Sequence, residues 1–171
     1  MPLAIWIVGA FIILFGFSAF FGAPYVPSRR RFLDNALTKL YPLGINDVLV
    51  DVGSGDGVVL RAAAEHGAKA VGYEINPFLV YLSRWLSRRQ PLVSVRLSNF
   101  WLTPLPLDTT VVYAFAVTRD AKRLTQKLER EAIRLHRSLV VITLAVELPG
   151  ITPVATEGPY FRYQIHPLQR S

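Results

Sequence analysis

The feature that most constrains the fold is the regular alternation of short apolar runs with helical patterns from residue 46 onward. The apolar runs are nearly continuous, which is typical of strands that are buried on both faces of a sheet. Predicted strands are 47–52, 69–74, 93–97, 110–115, 138–146 and 160–166, and predicted helices are 58–66, 78–88 and 120–135. This alternation predicts an α/β domain with a parallel sheet and helices on both faces. Only 160–166 remains for the last strands, so the sequence leaves open whether the sheet is complete.

The predicted helix 120–135 has one apolar face and a strongly basic remainder. The apolar residues on one face are Ala121, Leu124, Leu128 and Leu135. The basic residues on the rest of the helix are Lys122, Arg123, Lys127, Arg130 and Arg134. Such a pattern favours a solvated basic surface over a buried apolar stripe.

The first 23 residues predict a transmembrane anchor. Residues 3–21 carry no charged side chain, and a helix of that length spans roughly 28 Å, close to the hydrocarbon core of a bilayer. A cleaved secretory signal is the alternative, but no basic residue precedes Arg29 and 18–23 lacks a clean cleavage pattern. Burial as an ordinary core helix is a third interpretation. The predicted boundaries are therefore 1–23 for the anchor, 24–45 for a linker and N-terminal helix, and 46–171 for the α/β domain.

The segment between the anchor and the domain predicts an extended linker followed by one amphipathic helix. Pro24 and Pro27 disfavour helix, and Ser28 is a suitable N-cap. Apolar residues then recur at helical spacing from Phe32 to Leu40, which predicts a helix of about three turns that ends near 42–44.

Charge predicts which side of the membrane carries the domain. All 19 Lys and Arg residues lie beyond the apolar run, so the positive-inside rule places the domain on the cytoplasmic face. As the membrane itself, we favour a bacterial inner membrane over an organelle membrane. A net charge of +7 suits a domain held against anionic lipid headgroups. Nucleic acid attracts the same charge, but no nucleic-acid-binding motif is present, so we do not expect it as a partner.

Metal and disulfide chemistry are not expected from the composition. The chain has no cysteine, and its three histidines, His66, His136 and His166, are far apart in sequence. Neither pattern has the spacing of a metal site, so the prediction is that no metal is bound.

A glycine-rich turn carries the clearest functional signal. The turn after the first predicted strand reads Asp51-Val52-Gly53-Ser54-Gly55-Asp56-Gly57. Glycines at such a turn allow positive φ angles and let a ligand approach the backbone. Glu74 ends the next strand, 23 residues after Asp51, where nucleotide-binding βαβ units have an acidic residue that accepts hydrogen bonds from a ribose. Because Val58 replaces the third glycine of the dinucleotide fingerprint, the loop suits S-adenosylmethionine better than a nicotinamide cofactor.

Motifs along residues 24–154 resemble those of a known family. Beyond the glycine-rich turn, they are Pro24-Tyr25-Val26-Pro27, Glu74-Ile75-Asn76-Pro77, Asn99-Phe100-Trp101 and Leu148-Pro149-Gly150-Ile151-Thr152-Pro153. Together they resemble the seven-strand S-adenosylmethionine methyltransferases, and more narrowly the lysine methyltransferase family of the ATP synthase c subunit and adenine nucleotide translocase type. The resemblance implies a Rossmann-like fold, S-adenosylmethionine as cofactor, and a membrane-protein lysine as methyl acceptor.

The resemblance also implies roles for individual residues. Asp51, Gly53 and Gly55 would contact the methionine part of the cofactor, and Glu74 the ribose hydroxyls. Asn99 would lie beside the adenine, where many relatives have an acidic residue. The other residues that these motifs assign to the cofactor site are Ser54, Gly57, Asn76 and Phe100.

An aromatic pocket is the predicted site of the acceptor. A lysine amine must lose its proton before it accepts a methyl group, and desolvation near a cation favours the neutral amine. The residues predicted to form the pocket are Tyr25, Phe100, Trp101, Tyr113 and Phe115, of which Tyr25, Trp101 and Phe115 form the predicted catalytic site. For each aromatic residue, burial in the core is the competing interpretation. Methyl transfer to a lipid or quinone headgroup, and a non-catalytic membrane module that binds the nucleoside, stay open as alternative functions.

Overall fold

The computed structural model describes residues 30–115 and 118–167, with side chains from Phe32 onward. In this part of the chain, seven strands form one sheet in the order β3-β2-β1-β4-β5-β7-β6. The strands are β1 (Val48–Val52), β2 (Lys69–Glu74), β3 (Val93–Leu97), β4 (Val111–Ala114), β5 (Leu139–Leu144), β6 (Ala155–Glu157) and β7 (Tyr160–Ile165). Strands β1 to β5 are parallel, whereas β7 runs antiparallel to both β5 and β6.

Helices cover both faces of this sheet. They are α1 (Arg30–Asn35), which continues as a π-helical turn (Ala36–Leu40), α2 (Val58–Glu65), α3 (Pro77–Leu86) and α4 (Ala121–Leu135), which follows a 3-10 turn (Thr118–Asp120). Alternate residues of β4 show how the faces divide, because neighbouring strand residues point to opposite sides. Val111 packs in one buried cluster with residues of α1, α2 and α3. Val112 packs in the other, with Leu124 and Leu128 of α4.

The predicted α/β sheet with helices on both faces is confirmed. The predicted strands and the helices from 58 onward end within two residues of the observed bounds. The predicted parallel pairing is confirmed for β1 to β5, whereas β7 differs from it because it is antiparallel to β5. The sequence does not predict β6 because three residues carry too little periodic pattern. With β6 and β7 paired, the described sheet has seven strands.

The predicted N-terminal amphipathic helix is also present, with Leu33, Ala36, Leu37 and Leu40 buried. Its last turn is π-helical and stops at Tyr41, which has extended backbone. Arg162 of β7 donates a hydrogen bond to the Leu40 carbonyl at 3.0 Å. This bond fastens the end of the helix to β7, next to the edge strand β6.

The predicted anchor at 1–23 and the linker up to residue 29 lie outside the described residues. No helix within 30–115 and 118–167 combines the length and the apolar composition that crossing a bilayer requires. The anchor therefore stays a prediction.

Gly72 in the middle of β2 lets α2 and the glycine-rich turn pack directly on the sheet. A Cβ atom at this position would lie 2.6 Å from Leu60 Cδ1 and closer still to the Ser54 hydroxyl. We expect Gly72→Ala to lower the free energy of unfolding by about 1–3 kcal/mol, as overpacked cores do, and urea unfolding measures this. Gly44→Ala is the control, because a Cβ there would meet nothing within 4 Å. Equal stability of the two variants would contradict the packing argument.

Candidate active site

The strand order creates a crevice between β1 and β4. The chain leaves β1 towards β2 on one side and leaves β4 towards β5 on the other, so the two loops diverge. In open α/β sheets, ligands bind outside the carboxyl ends of the strands at such a switch point. Val52 pairs with Ala114 at the ends of these strands, so the glycine-rich turn and Phe115 emerge side by side.

The glycine-rich turn has positive φ angles, which residues with a side chain rarely adopt. The φ angles are 79° at Gly53, 54° at Gly55 and 81° at Gly57. The N–H groups of Gly53 and Ser54 both donate to the Tyr73 carbonyl, at 2.8 and 3.1 Å, which ties the turn to β2. A Cβ at Gly53 would meet no described atom within 4 Å, so the backbone there is open to a ligand.

Gly57 and Ser54, which the motifs assign to the cofactor site, pack against other parts of the protein. A Cβ at Gly57 would collide with the Ser83 hydroxyl of α3, so this glycine permits close packing of that helix. The Ser54 hydroxyl is buried against Gly72, without a hydrogen-bond partner in the described part of the chain. Both residues therefore shape the turn, and ligand contacts from them would come from the backbone.

The carboxylate of Glu74 is held at the centre of the site. Its Oε2 accepts the Gly55 N–H at 2.9 Å and its Oε1 accepts the Asn76 N–H at 2.8 Å. A carboxylate has about four lone-pair positions, so two remain for the hydroxyls of a ribose. Asn76 is the N-cap of α3, because its Oδ1 accepts the Phe78 N–H at 3.0 Å. Glu74 thus joins the glycine-rich turn to the start of α3.

Asp51 is a buried carboxyl group that protein donors do not satisfy. It is 3% exposed, and within residues 30–115 and 118–167 it makes no side-chain hydrogen bond or ion pair. Burial raises its pKa well above 3.8, and the carboxylates of Glu74 and Asp56 add to the shift. Such a group destabilises the fold unless a ligand brings a donor or a positive charge. The ammonium group of an amino acid would supply both.

The segment after β3 carries Asn99, Phe100 and Trp101. Asn99 Oδ1 accepts the Trp101 N–H at 3.0 Å, which closes a tight turn. The Phe100 and Trp101 rings are 5.2 Å apart and tilted by 59°. From α4, the Arg123 guanidinium lies 4.3 Å from the centre of the Trp101 ring. The Asn99 amide still offers its NH₂ group to a ligand.

An ionic network on α4 fixes this segment, and we call Lys127, Glu131 and Arg134 the α4 clamp. Glu131 accepts hydrogen bonds from Lys127 at 2.8 Å, from Arg134 at 2.8 Å and from the Leu105 N–H at 3.1 Å. Arg134 also donates to the Leu105 carbonyl. The expectation that Lys127 belongs to a solvated basic surface is wrong, because this residue is only 8% exposed. The available sequence signal was its i, i+4 spacing from Glu131.

The predicted aromatic pocket is divided by the structure. Phe115 and Trp101 are half-buried and follow the carboxyl ends of β4 and β3. Tyr113 is buried in the core, where its ring is 6.2 Å from that of Tyr160, so the core interpretation is confirmed for this residue. Tyr25 lies outside the described residues.

The chemistry of the crevice fits S-adenosylmethionine. Glu74 has lone pairs for a ribose diol, and Asp51 is an unpaired buried carboxyl group beside an open glycine backbone. Glu74 can accept hydrogen bonds from the ribose hydroxyls, and Asp51 from the ammonium group of the methionine part. The open glycine backbone leaves room for the rest of the methionine part. Among the residues that the structure describes, no cluster of His, Cys, Asp or Glu is suited to hold a metal ion.

The sheet order and the crevice define the seven-strand methyltransferase fold. The RNA methyltransferase from Salinibacter ruber, solved in complex with S-adenosyl-L-homocysteine, matches with a TM-score of 0.75 and 26% identity, over 85% of this chain and 98% of that chain. The 23S rRNA methyltransferase ErmE shares the fold at a TM-score of 0.54 and 16% identity, over 70% of this chain and 48% of that chain.

The chain belongs to the family of ANTKMT methyltransferase domains, whose model matches residues 51–155. The lysine N-methyltransferase of the ATP synthase c subunit from Rattus norvegicus is 36% identical over 138 residues, 79% of this chain and 61% of the relative. The adenine nucleotide translocase lysine N-methyltransferase of Mus musculus is 32% identical over 151 residues, 84% of this chain and 63% of the relative. The chain thus spans about three-fifths of the length of these relatives. The family resemblance seen in the sequence is confirmed.

Asp51→Asn should stabilise the ligand-free protein at neutral pH. Folding raises the pKa of Asp51 above 3.8, so below that pH the group is protonated in both states and the variant matches the wild type. As pH rises towards the folded-state pKa, the wild type loses stability relative to the variant. Thermal unfolding between about pH 3.5 and about pH 8 measures the difference. Asp108→Asn, at an exposed carboxylate, should show none, and an Asp51→Asn protein less stable than wild type at neutral pH would refute the argument.

Glu131→Gln should release the α4 clamp. Burial raises the pKa of Glu131, but hydrogen bonds from Lys127, Arg134 and Leu105 outweigh burial and hold it below 4.5. Removing the charge leaves Lys127 buried without a counter-ion, so we expect a loss of about 3 kcal/mol in the free energy of unfolding at neutral pH.

The pH dependence gives this prediction its sign. The stabilisation by Glu131 is present above the ordinary pKa of 4.5 and is lost as pH falls through the lowered folded-state value. Urea unfolding should therefore show the gap between wild type and Glu131→Gln narrowing in acid. Glu129→Gln on the same helix is the matched control, and a constant gap across pH would show that the network is not the cause.

Proposed function

We propose that the chain is an S-adenosylmethionine-dependent protein-lysine N-methyltransferase that acts at a membrane. The crevice between β1 and β4 is the observation that carries this proposal, because Asp51, Gly53 and Glu74 complement three parts of one cofactor. Lysine is the favoured acceptor because the relatives are named as lysine N-methyltransferases of the ATP synthase c subunit and of the adenine nucleotide translocase.

The residues of the crevice would bind and orient the cofactor. When bound, S-adenosylmethionine supplies an activated methyl group, which passes to the acceptor nitrogen as the carbon–sulfur bond breaks and S-adenosylhomocysteine is left. Such a transfer depends mainly on positioning and on exclusion of water, so the chain needs no nucleophile of its own. Glu74 is already fixed by two backbone N–H groups and would accept the ribose hydroxyls without rearranging. Asn99 and Phe100 would lie against the adenine.

Aromatic residues at the carboxyl edge of the sheet would receive the lysine. Phe115 and Trp101 are half-buried there, so a lysine side chain that packs against them would lose water. Desolvation disfavours the ammonium form and lowers the pKa of the amine, which releases its proton to solvent. We include Tyr25 as a third aromatic residue of this entrance.

Membrane action is supported by the N-terminal sequence. Residues 3–21 carry no charge and all Lys and Arg follow them, so we propose a single-pass anchor at 1–23 with the catalytic domain on the cytoplasmic face. A bacterial inner membrane is favoured over an organelle membrane. The acceptor would then be a lysine of a membrane protein. The relatives are named for the ATP synthase c subunit and the adenine nucleotide translocase.

Incubation of the full chain with tritiated S-adenosylmethionine and membranes tests the proposal. We expect label in protein, recovered as methyl-lysine after hydrolysis. Glu74→Gln should reduce the label by about tenfold or more, since hydrogen bonds to a charged group contribute about 1.5–3 kcal/mol. Glu65→Gln, at an exposed carboxylate at the end of α2, is the control.

The location of the label separates the alternatives. Label in the lipid extract would favour a lipid or quinone headgroup as acceptor, and label in RNA would favour the activity named for the Salinibacter ruber protein. Binding of S-adenosylhomocysteine without label in any fraction would favour a non-catalytic module. Each of these results would overturn the lysine assignment.

A further inference from the structure

Helix α3 is turned so that its largest apolar side chains face outward. Phe78, Tyr81 and Trp85 are 51%, 72% and 60% exposed. Their spacing of three and four residues puts them on one face, and we call these three residues the aromatic stripe. The residues that α3 buries are Val80 and Ser83, and the Ser83 hydroxyl has no hydrogen-bond partner in the described part of the chain. This is the reverse of an ordinary surface helix, which buries its apolar stripe.

The segment of sequence that contains the stripe carries only positive charge. Residues 75–107 contain four arginines and no acidic residue. Arg84 donates two hydrogen bonds to the Val95 carbonyl, at 3.0 and 2.8 Å, which fixes its side chain beside the edge strand β3. The Arg88 guanidinium lies 4.8 Å from the centre of the Trp85 ring. Arginine next to exposed aromatic rings is the composition of surfaces that lie in the headgroup region of a bilayer.

The position of α3 relates the stripe to the candidate active site. The helix starts at Pro77, directly after the Asn76 cap whose N–H holds Glu74. Its buried residue Val80 belongs to the same cluster as Leu33 of α1. The stripe therefore begins beside the crevice, on the face of the sheet where the described chain starts.

We infer that the aromatic stripe, with Arg84, Arg88 and Arg89, docks the domain on an anionic lipid surface. The charge decides between the possible occupants. A second copy that met the stripe through the same patch would bring arginines against arginines. The chain's own residues 3–21 are uncharged, so they would cover the rings and leave the arginines without counter-ions. In an anionic bilayer, the headgroups pair with the arginines and the apolar boundary below them receives the aromatic rings.

The consequence is a fixed orientation of the site. With α3 lying in the headgroup region, the carboxyl edge of the sheet opens beside the bilayer, where a lysine just outside the membrane could reach it. The inference rests on the proposed membrane action, and its test requires no methyl transfer, so the two can fail separately.

The absence of cysteine allows a test by single-site labelling of the full chain. Tyr81→Cys would carry an environment-sensitive fluorophore on the stripe, and Gln126→Cys would carry it at an exposed position of α4 on the opposite face of the sheet. Both proteins are reconstituted into vesicles of phosphatidylcholine, with and without phosphatidylglycerol. We expect blue-shifted emission, quenched by nitroxide lipids, for position 81 only in the anionic vesicles. Added salt and Arg88→Gln combined with Arg89→Gln should reduce this shift.

Two results would overturn the inference. Emission from position 81 that matches position 126 in anionic vesicles would show that the stripe stays in water. A blue shift of equal size in neutral and anionic vesicles would show that anionic headgroups do not dock the stripe. If nitroxide lipids also failed to quench this emission, the chain itself or a second copy would be what covers the stripe. Methyl transfer to native membranes, measured as above, reports on the proposed activity independently of both outcomes.

Discussion

The two hydrogen bonds received by Glu74 are the constraint on which the site depends. One comes from Gly55 in the turn after β1 and the other from Asn76 at the cap of α3. A single carboxylate therefore sets the shape of the glycine-rich turn, the start of a helix and the place of the group proposed to bind ribose. Because its donors are backbone N–H groups on elements anchored in the core, the geometry is fixed before any ligand arrives.

The same region destabilises the ligand-free protein. Asp51 is buried beside a second carboxylate, and burial raises its pKa. Strain and unpaired polar groups persist at functional sites where the surrounding structure is strong enough to hold them. Here the buried clusters on the two faces of the sheet, one under α1 to α3 and one under α4, supply that support. The buried carboxyl group of Asp51 and the open backbone at Gly53 are explained together if they are two parts of one binding site.

An ionic network holds the connection between β3 and β4 in place. The connection between β3 and β4 contains no helix over residues 98–110, yet it must hold Asn99, Phe100 and Trp101 in place. The α4 clamp does this from the neighbouring element, through Glu131 and Arg134 on the backbone of Leu105. A helix that looks like an ordinary amphipathic cover is thus part of the site. Helix α3, on the opposite face of the sheet, differs from an ordinary amphipathic helix. Its aromatic side chains point outward and its serines point inward.

The sequence by itself determined the alternation of strands and helices, the glycine-rich turn and the place of Glu74 at the end of β2, because each depends on local periodicity or on backbone preferences of single residues. It also determined the family, through the motifs distributed along residues 24–154. Only the tertiary structure decided that Lys127 is buried, that Tyr113 belongs to the core, that β7 is antiparallel and that α3 exposes its aromatic residues. These features depend on which elements become neighbours in the fold. The charge or polarity of a residue does not indicate whether an element from a distant part of the chain will bury it.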